Sequence, residues 1–149
     1  MIETSFKFNF ASSDVIDSYA KRINDEYESG EIGYYHLPAL GQNLLGETRE
    51  YEKGLAHIKN VVLVGIGGSS LGVKALKSML DGTKGIKREL LFLDNVDPCS
   101  YKSTLSGLNF NETLFIISSK SGNTIETITI FKCLLDDFKP QNLGKNFLI

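Results

Sequence analysis

Residues 61–72, V-V-L-V-G-I-G-G-S-S-L-G, constrain the fold more than any other stretch. Four apolar residues in a row, three of them valine, read as a buried parallel strand. Glycines at 65, 67 and 68 follow at once, then Ser69 and Ser70, then a helical pattern. A strand that runs through a glycine turn into a helix N-terminus is a ready anion site. The glycines let backbone N–H groups come close to a ligand, and the first helical turn leaves N–H donors unpaired. The helix dipole adds a preference for negative charge, so a phosphate or carboxylate fits.

On either side the chain divides in two. Ser12-Ser13-Asp14 offers N-cap chemistry for a first helix that carries Ile16, Tyr19, Ala20, Ile23 and Tyr27 at helical spacing and stops at Gly30. Residues 33–38 read as a loop, because Pro38 discourages helix at Leu37. A second helix is expected over about 47–58, with Tyr51, Leu55 and Ile58 on one face. Residues 1–11 read as an extended lead-in, and 1–59 together as a helical cap that packs on a sheet.

From Asn60 onward, strands and helices alternate. Strands are expected at 61–66, 89–93, 113–117 and from Asn146 on. Helices are expected at 71–80, 99–107 and 124–138, with a turn at D-G-T-K-G, 81–85. Leu71, Ala75 and Met79 with Leu76 and Leu80 form the predicted buried stripe of the first of these helices. Repeated β-α units imply a parallel sheet with right-handed crossovers. The fold class is therefore α/β, a doubly wound sheet of flavodoxin-type order 2-1-3-4 over residues 60–149. The end at Ile149 would leave an apolar strand without a covering helix, which suggests a chain truncated after the fourth strand.

Composition narrows the partners. The chain has 149 residues, 42% of them apolar, and its net charge is −2. There is no overall electrostatic case for nucleic acid or an anionic membrane, so a bound anion must be held by local donors. The start, M-I-E-T-S-F-K-F-N-F, lacks the long apolar core of a signal peptide, and no stretch approaches the ~18–20 apolar residues that span a bilayer. Cys99 and Cys133 read as free cytosolic thiols, and with only His36 and His57 a histidine-based metal site is not expected.

Three named motifs can be weighed on the first loop. G-x-G-x-x-G needs glycine where Ser70 stands, although Asp94 sits near the place of a ribose-binding acid. G-x-S-x-G is matched by 68–72, but its triad wants a histidine after the serine, and both histidines precede it. The lysine-containing phosphate loop is absent. What is left is a glycine turn with Ser69 and Ser70, which by itself could be a serine N-cap alone. A second loop of the same kind follows the third strand: Ser118-Ser119-Lys120-Ser121-Gly122-Asn123-Thr124-Ile125-Glu126-Thr127. Here Asn123 reads as the N-cap and Glu126 as the far member of a capping box. Capping does not account for Ser119, Ser121 and Thr124 together, whereas a phosphate monoester would. With order 2-1-3-4 these two loops meet at the topological switch point, where ligands bind.

At these residues the chain resembles the sugar-isomerase (SIS) domain, and more closely the phosphoglucose isomerase family of bacterial type. The resemblance rests on G-I-G-G-S-S-L-G at 65–72 and S-K-S-G-N-T-I-E-T at 119–127, with weaker similarity at 33–38 and 94–98. It implies interconversion of glucose 6-phosphate and fructose 6-phosphate, without a cofactor or metal, in a cytoplasmic enzyme whose parent is a homodimer. It implies that Ser119, Ser121 and Thr124, with Thr127 behind them, hold the phosphate. Lys120 would stand beside them, or else be a solvated surface lysine. Gly68, Ser69 and Ser70 would line the sugar side. Glu126 matches an acid the family keeps near its ring-opening histidine. The family's general-base glutamate, ring-opening histidine and lysine, and arginine all lie farther along than Ile149, so no catalytic residue is expected in this chain and the fragment itself is expected to be inactive. The alternative is a non-catalytic SIS-domain sensor or regulatory module.

Overall fold

A computed structural model describes residues 14–82 and 88–149. The chain forms two compact units, Met1–Gly54 and Leu55–Ile149. The extended lead-in, the Ser12-Ser13 cap and most of the 81–85 turn lie outside the described residues.

In the first unit, α1 spans Asp14–Ser29 and a 3₁₀ turn covers Gly33–His36, followed directly by α2, Leu37–Lys53. The second helix thus begins ten residues earlier than expected and ends before Leu55 and Ile58. Pro38 lies in the first helical turn, where the N–H it lacks would have had no partner anyway. The loop reading of 33–38 fails for that reason. The Tyr27 and His36 rings are in tilted contact with centroids 4.6 Å apart, and His36 Nε2 lies 3.1 Å from the Tyr27 carbonyl. These contacts fasten the 3₁₀ turn to α1. The apolar residues of α1 are exposed, among them Ile16, Tyr19 and Ile23.

The second unit is built on four parallel strands, β1 (Asn60–Val64), β2 (Glu89–Leu93), β3 (Thr113–Ile117) and β4 (Phe147–Leu148), in the order β2-β1-β3-β4. Helices α3 (Gly68–Leu80), α4 (Pro98–Leu105), α5 (Ile125–Phe138) and α6 (Leu143–Asn146) connect them. The class and strand order match the expectation. Strand register is simple: Asn60 to Val64 face Glu89 to Leu93 on one side and Thr113 to Ile117 on the other. The fourth strand is shorter than expected, because Asn146 closes α6 instead of opening β4. Asn142 makes that short helix by accepting a bond from Gly144 N at 3.0 Å.

The core lies on one face of the sheet, where Val62, Val64, Leu93, Phe115 and Phe147 meet Ile130 and Leu134 of α5. Phe110, Phe131 and Phe138 extend it, Phe110 and Phe138 stacking at 4.8 Å. Tyr101 of α4 donates to Asp137 of α5 at 2.8 Å. Burial, then that hydrogen bond, push its phenol above the usual range, so it stays a donor. The opposite face carries α3, because the β1-to-β2 crossover runs the other way along the sheet. Here the predicted stripe fails: Leu71 is 61% exposed, Met79 is 77% exposed, and Leu76 and Leu80 are also open. A groove of about 480 Å³ separates Val73, Leu76 and Leu80 from Val61 and Leu90 of the sheet. The helix stands off its own sheet face.

Candidate functional site

At the C-terminal end of β1 the backbone passes through Gly65, Ile66 and Gly67 before α3 begins. A Cβ on Gly65 would lie 2.9 Å from Ser69 Cβ and 3.1 Å from the Ser118 carbonyl oxygen, so only glycine lets the two loops touch there. Gly67 is the N-cap of α3, with φ 58° and ψ −121°, a conformation that a side chain makes costly. The serine N-cap reading of this loop is thereby replaced: no side chain caps α3. Ser70 is buried and turns its hydroxyl back to the Gly67 carbonyl at 3.3 Å. We expect Gly67→Ala to lower stability by about 1–3 kcal/mol in urea unfolding, since alanine cannot relax into these angles. An unchanged midpoint would show that the turn is not held as described.

The ladder continues one step past the strands. Ser118 N donates to the Val64 carbonyl at 2.8 Å, which sets the second loop beside the first. That loop is folded on itself by hydroxyls. Ser119 Oγ accepts from Gly122 N at 3.1 Å and lies 3.1 Å from Thr124 Oγ1, and Ser121 Oγ accepts from Asn123 N at 3.2 Å. The expected capping box is absent. Thr124, not Asn123, is the N-cap of α5, and it makes no side-chain cap bond. Glu126 is therefore the second residue of the helix, not the third. The first turn of α5 keeps its amides free of any capping side chain.

Between the two loops opens a cavity of about 740 Å³, and its lining includes Gly68, Ser69, Ser119, Lys120, Ser121 and Thr124. Six of the eight predicted binding residues meet there. Ser70 does not reach it, and Thr127 is 2% exposed behind the first turn of α5. Thr127 Oγ1 is the one buried side-chain oxygen or nitrogen without a partner among the described residues. No acid or imidazole lines the cavity, and Lys120 is exposed. Ile66 and Ser118 also line it, which the sequence reading missed. Ser118 directly follows the last residue of β3 and Ile66 stands between two turn glycines, which was the available signal.

The 94–98 segment has a structural role. Asn95 Oδ1 accepts from Asp97 N at 3.0 Å, and Asp97 caps α4 by accepting from Ser100 N at 2.6 Å. Asp94 pairs with Lys74 of α3, whose ammonium lies 5.3 Å from the centre of the Phe92 ring. That pairing occupies the Asp94 carboxylate with a lysine of the same unit.

A parallel 2-1-3-4 sheet with two glycine- and hydroxyl-rich loops converging on a cavity at its C-terminal edge defines an α/β protein of the doubly wound class. Comparison with known proteins makes this specific. The family model for phosphoglucose isomerase matches residues 46–146. The chain belongs to the phosphoglucose isomerase family. It is 45% identical over 150 residues to glucose-6-phosphate isomerase of Campylobacter jejuni, covering 99% of this chain and 37% of that protein. A probable glucose-6-phosphate isomerase of Methanococcus maripaludis is 33% identical over 141 residues, covering 91% of this chain and 30% of that protein. Among solved structures, a hypothetical protein of Thermus thermophilus superposes with a TM-score of 0.72 at 26% identity, over 88% of this chain and 33% of that one. A glucose-6-phosphate isomerase of Chlamydia trachomatis shares the fold, with a TM-score of 0.58 at 21% identity, over 94% of this chain and 24% of that one. The chain thus spans 37% and 30% of the length of these two curated relatives.

Proposed function

We propose that these residues hold the phosphate of glucose 6-phosphate or fructose 6-phosphate for an aldose–ketose isomerase. The carrying observation is the acid-free cavity in which Ser119, Ser121 and Thr124 face Gly68 and Ser69 across about 740 Å³. A phosphate dianion would take hydrogen bonds from these hydroxyls, from the open amides of the first turn of α5, and charge from Lys120. Thr127, with its orphan hydroxyl beneath that turn, is proposed as a second-rank donor once the loop closes on an anion. The relatives named as glucose-6-phosphate isomerases favour the isomerase reading over a regulatory module. Residues 1–59 are proposed as the helical cap and 60–149 as the sugar-phosphate-binding domain.

Moving a proton between adjacent carbons needs an acid or base within hydrogen-bond reach, and no carboxylate or imidazole lines this cavity. The proposal is therefore binding without turnover by these residues alone. Titration of the ¹⁵N-labelled chain with fructose 6-phosphate should give saturable amide shifts at 66–70 and 118–127, while a coupled assay shows no isomerisation. Shifts confined to α1 and α2 would sink the binding role. Turnover that persists on repurification and is lost in Glu126→Gln would give Glu126 a chemical part that its place in the second position of α5 does not suggest.

A further inference from the structure

A second cavity, of about 310 Å³, opens at the other end of the sheet, where α5 turns back towards β4. It lies near the start of β3, a strand length or roughly 15 Å from the 118–124 loop. Phe110 and Phe138, stacked at 4.8 Å, contribute an aromatic wall. Lys139 and Lys145 line it, no acid does, and neither lysine's ammonium has an ion pair or hydrogen bond among the described residues. Two unpaired ammonium groups thus share one concavity on a chain whose net charge is −2.

Asn146 adds a polar group that is built in. It is 2% exposed and lines the same cavity. Its amide nitrogen donates to the carbonyls of Phe110 at 2.8 Å and Thr113 at 2.9 Å, which fixes the orientation of the amide. The amide oxygen has no partner among the described residues, and it is not among their fully buried, unsatisfied atoms. A buried side chain with both donors used therefore offers the cavity one acceptor.

We propose that this cavity binds a small hydroxylated organic anion. The anionic group would sit between the ammonium groups of Lys139 and Lys145. An apolar C–H face would rest on the Phe110–Phe138 wall, and a hydroxyl would donate to Asn146 Oδ1. The cavity volume is at the lower end of that of small-molecule sites, which suits a ligand of a few carbons. This site is independent of the sugar-phosphate reading, because it shares no residue with the 66–124 cavity.

The test is a titration of the ¹⁵N-labelled chain with glycerol 3-phosphate, with inorganic phosphate in a parallel arm. Saturable shifts are expected at Asn111, Lys139, Asn142 and Asn146, with their own Kd, separate from any at 118–124. In the double variant Lys139→Asn, Lys145→Gln that Kd should rise about tenfold or more, the loss of roughly one charge-assisted bond, while shifts at 118–124 keep theirs. Asparagine tolerates the left-handed φ of 43° at position 139, so the variant keeps the turn. Shifts confined to 118–124, or an unchanged Kd in the variant, would overturn the site. Equal affinity for inorganic phosphate would overturn the organic ligand class, because nothing would then be contributed by Asn146 or the rings.

Discussion

Phe115→Ala should lower the unfolding free energy by about 3–5 kcal/mol, the cost of emptying a fully packed aromatic site. Phe115 is 0% exposed and touches three other rings: its centroid lies 5.0 Å from Phe147, 5.5 Å from Phe138 and 6.0 Å from Phe110. It is also central in the sheet, paired to Val62 on one side and Phe147 on the other. Domains of this size have about 5–15 kcal/mol in total, so urea unfolding should show a midpoint near the limit of measurement. The companion variant is Leu71→Ala, which should change stability by no more than about 0.5 kcal/mol because that side chain is largely in water. A loss below about 1 kcal/mol at Phe115, or a larger one at Leu71, would reverse the assignment of the core to the α5 face.

The largest functional effect is expected from Ser121→Ala combined with Thr124→Ala. Hydrogen bonds to a charged group are worth about 1.5–3 kcal/mol each, so together at least about 3 kcal/mol of phosphate affinity should go. That is roughly a hundredfold rise in Kd for fructose 6-phosphate, read by the amide titration. The two sites are close, so the sum is not strictly additive. Asn123→Ala should do little, within about 0.5 kcal/mol of stability, because Thr124 is the N-cap and only the backbone N–H of Asn123 is engaged. Weaker binding in Asn123→Ala than in Ser121→Ala would mean the roles in this loop are wrongly shared out.

The strands and their order are legible in the sequence because each is a short apolar run bounded by turn residues, and period and length agree. The two loops are legible for the same reason: strand, glycine and hydroxyls occur in a fixed succession. Helix boundaries are less so. Pro38 carries two opposed meanings, stop and first turn, and only the surrounding chain decides between them. Asn123 and Thr124 are both good N-caps, and the Ser119–Thr124 contact selects the second. The stripe on α3 has a different cause. Periodicity reports which face is apolar, and it cannot report whether that face is covered. The apolar neighbours of Asn146 suggest a strand, while its side chain is spent on Phe110 and Thr113.

The bond from Ser118 N to Val64 O, together with the bare Cα of Gly65, puts a limit on how this site can vary in length. One residue inserted at the end of β1 or β3 would displace its loop by about 3.3 Å and send the following side chains to the other face. The two loops would fall out of step, and Ser119 would no longer lie opposite Ser69. Length changes are therefore excluded on the strand side of Gly65 and Ser118. They are tolerable only at the exposed tip, 120–123, where an added residue lengthens the rim and leaves the floor of the crevice in place.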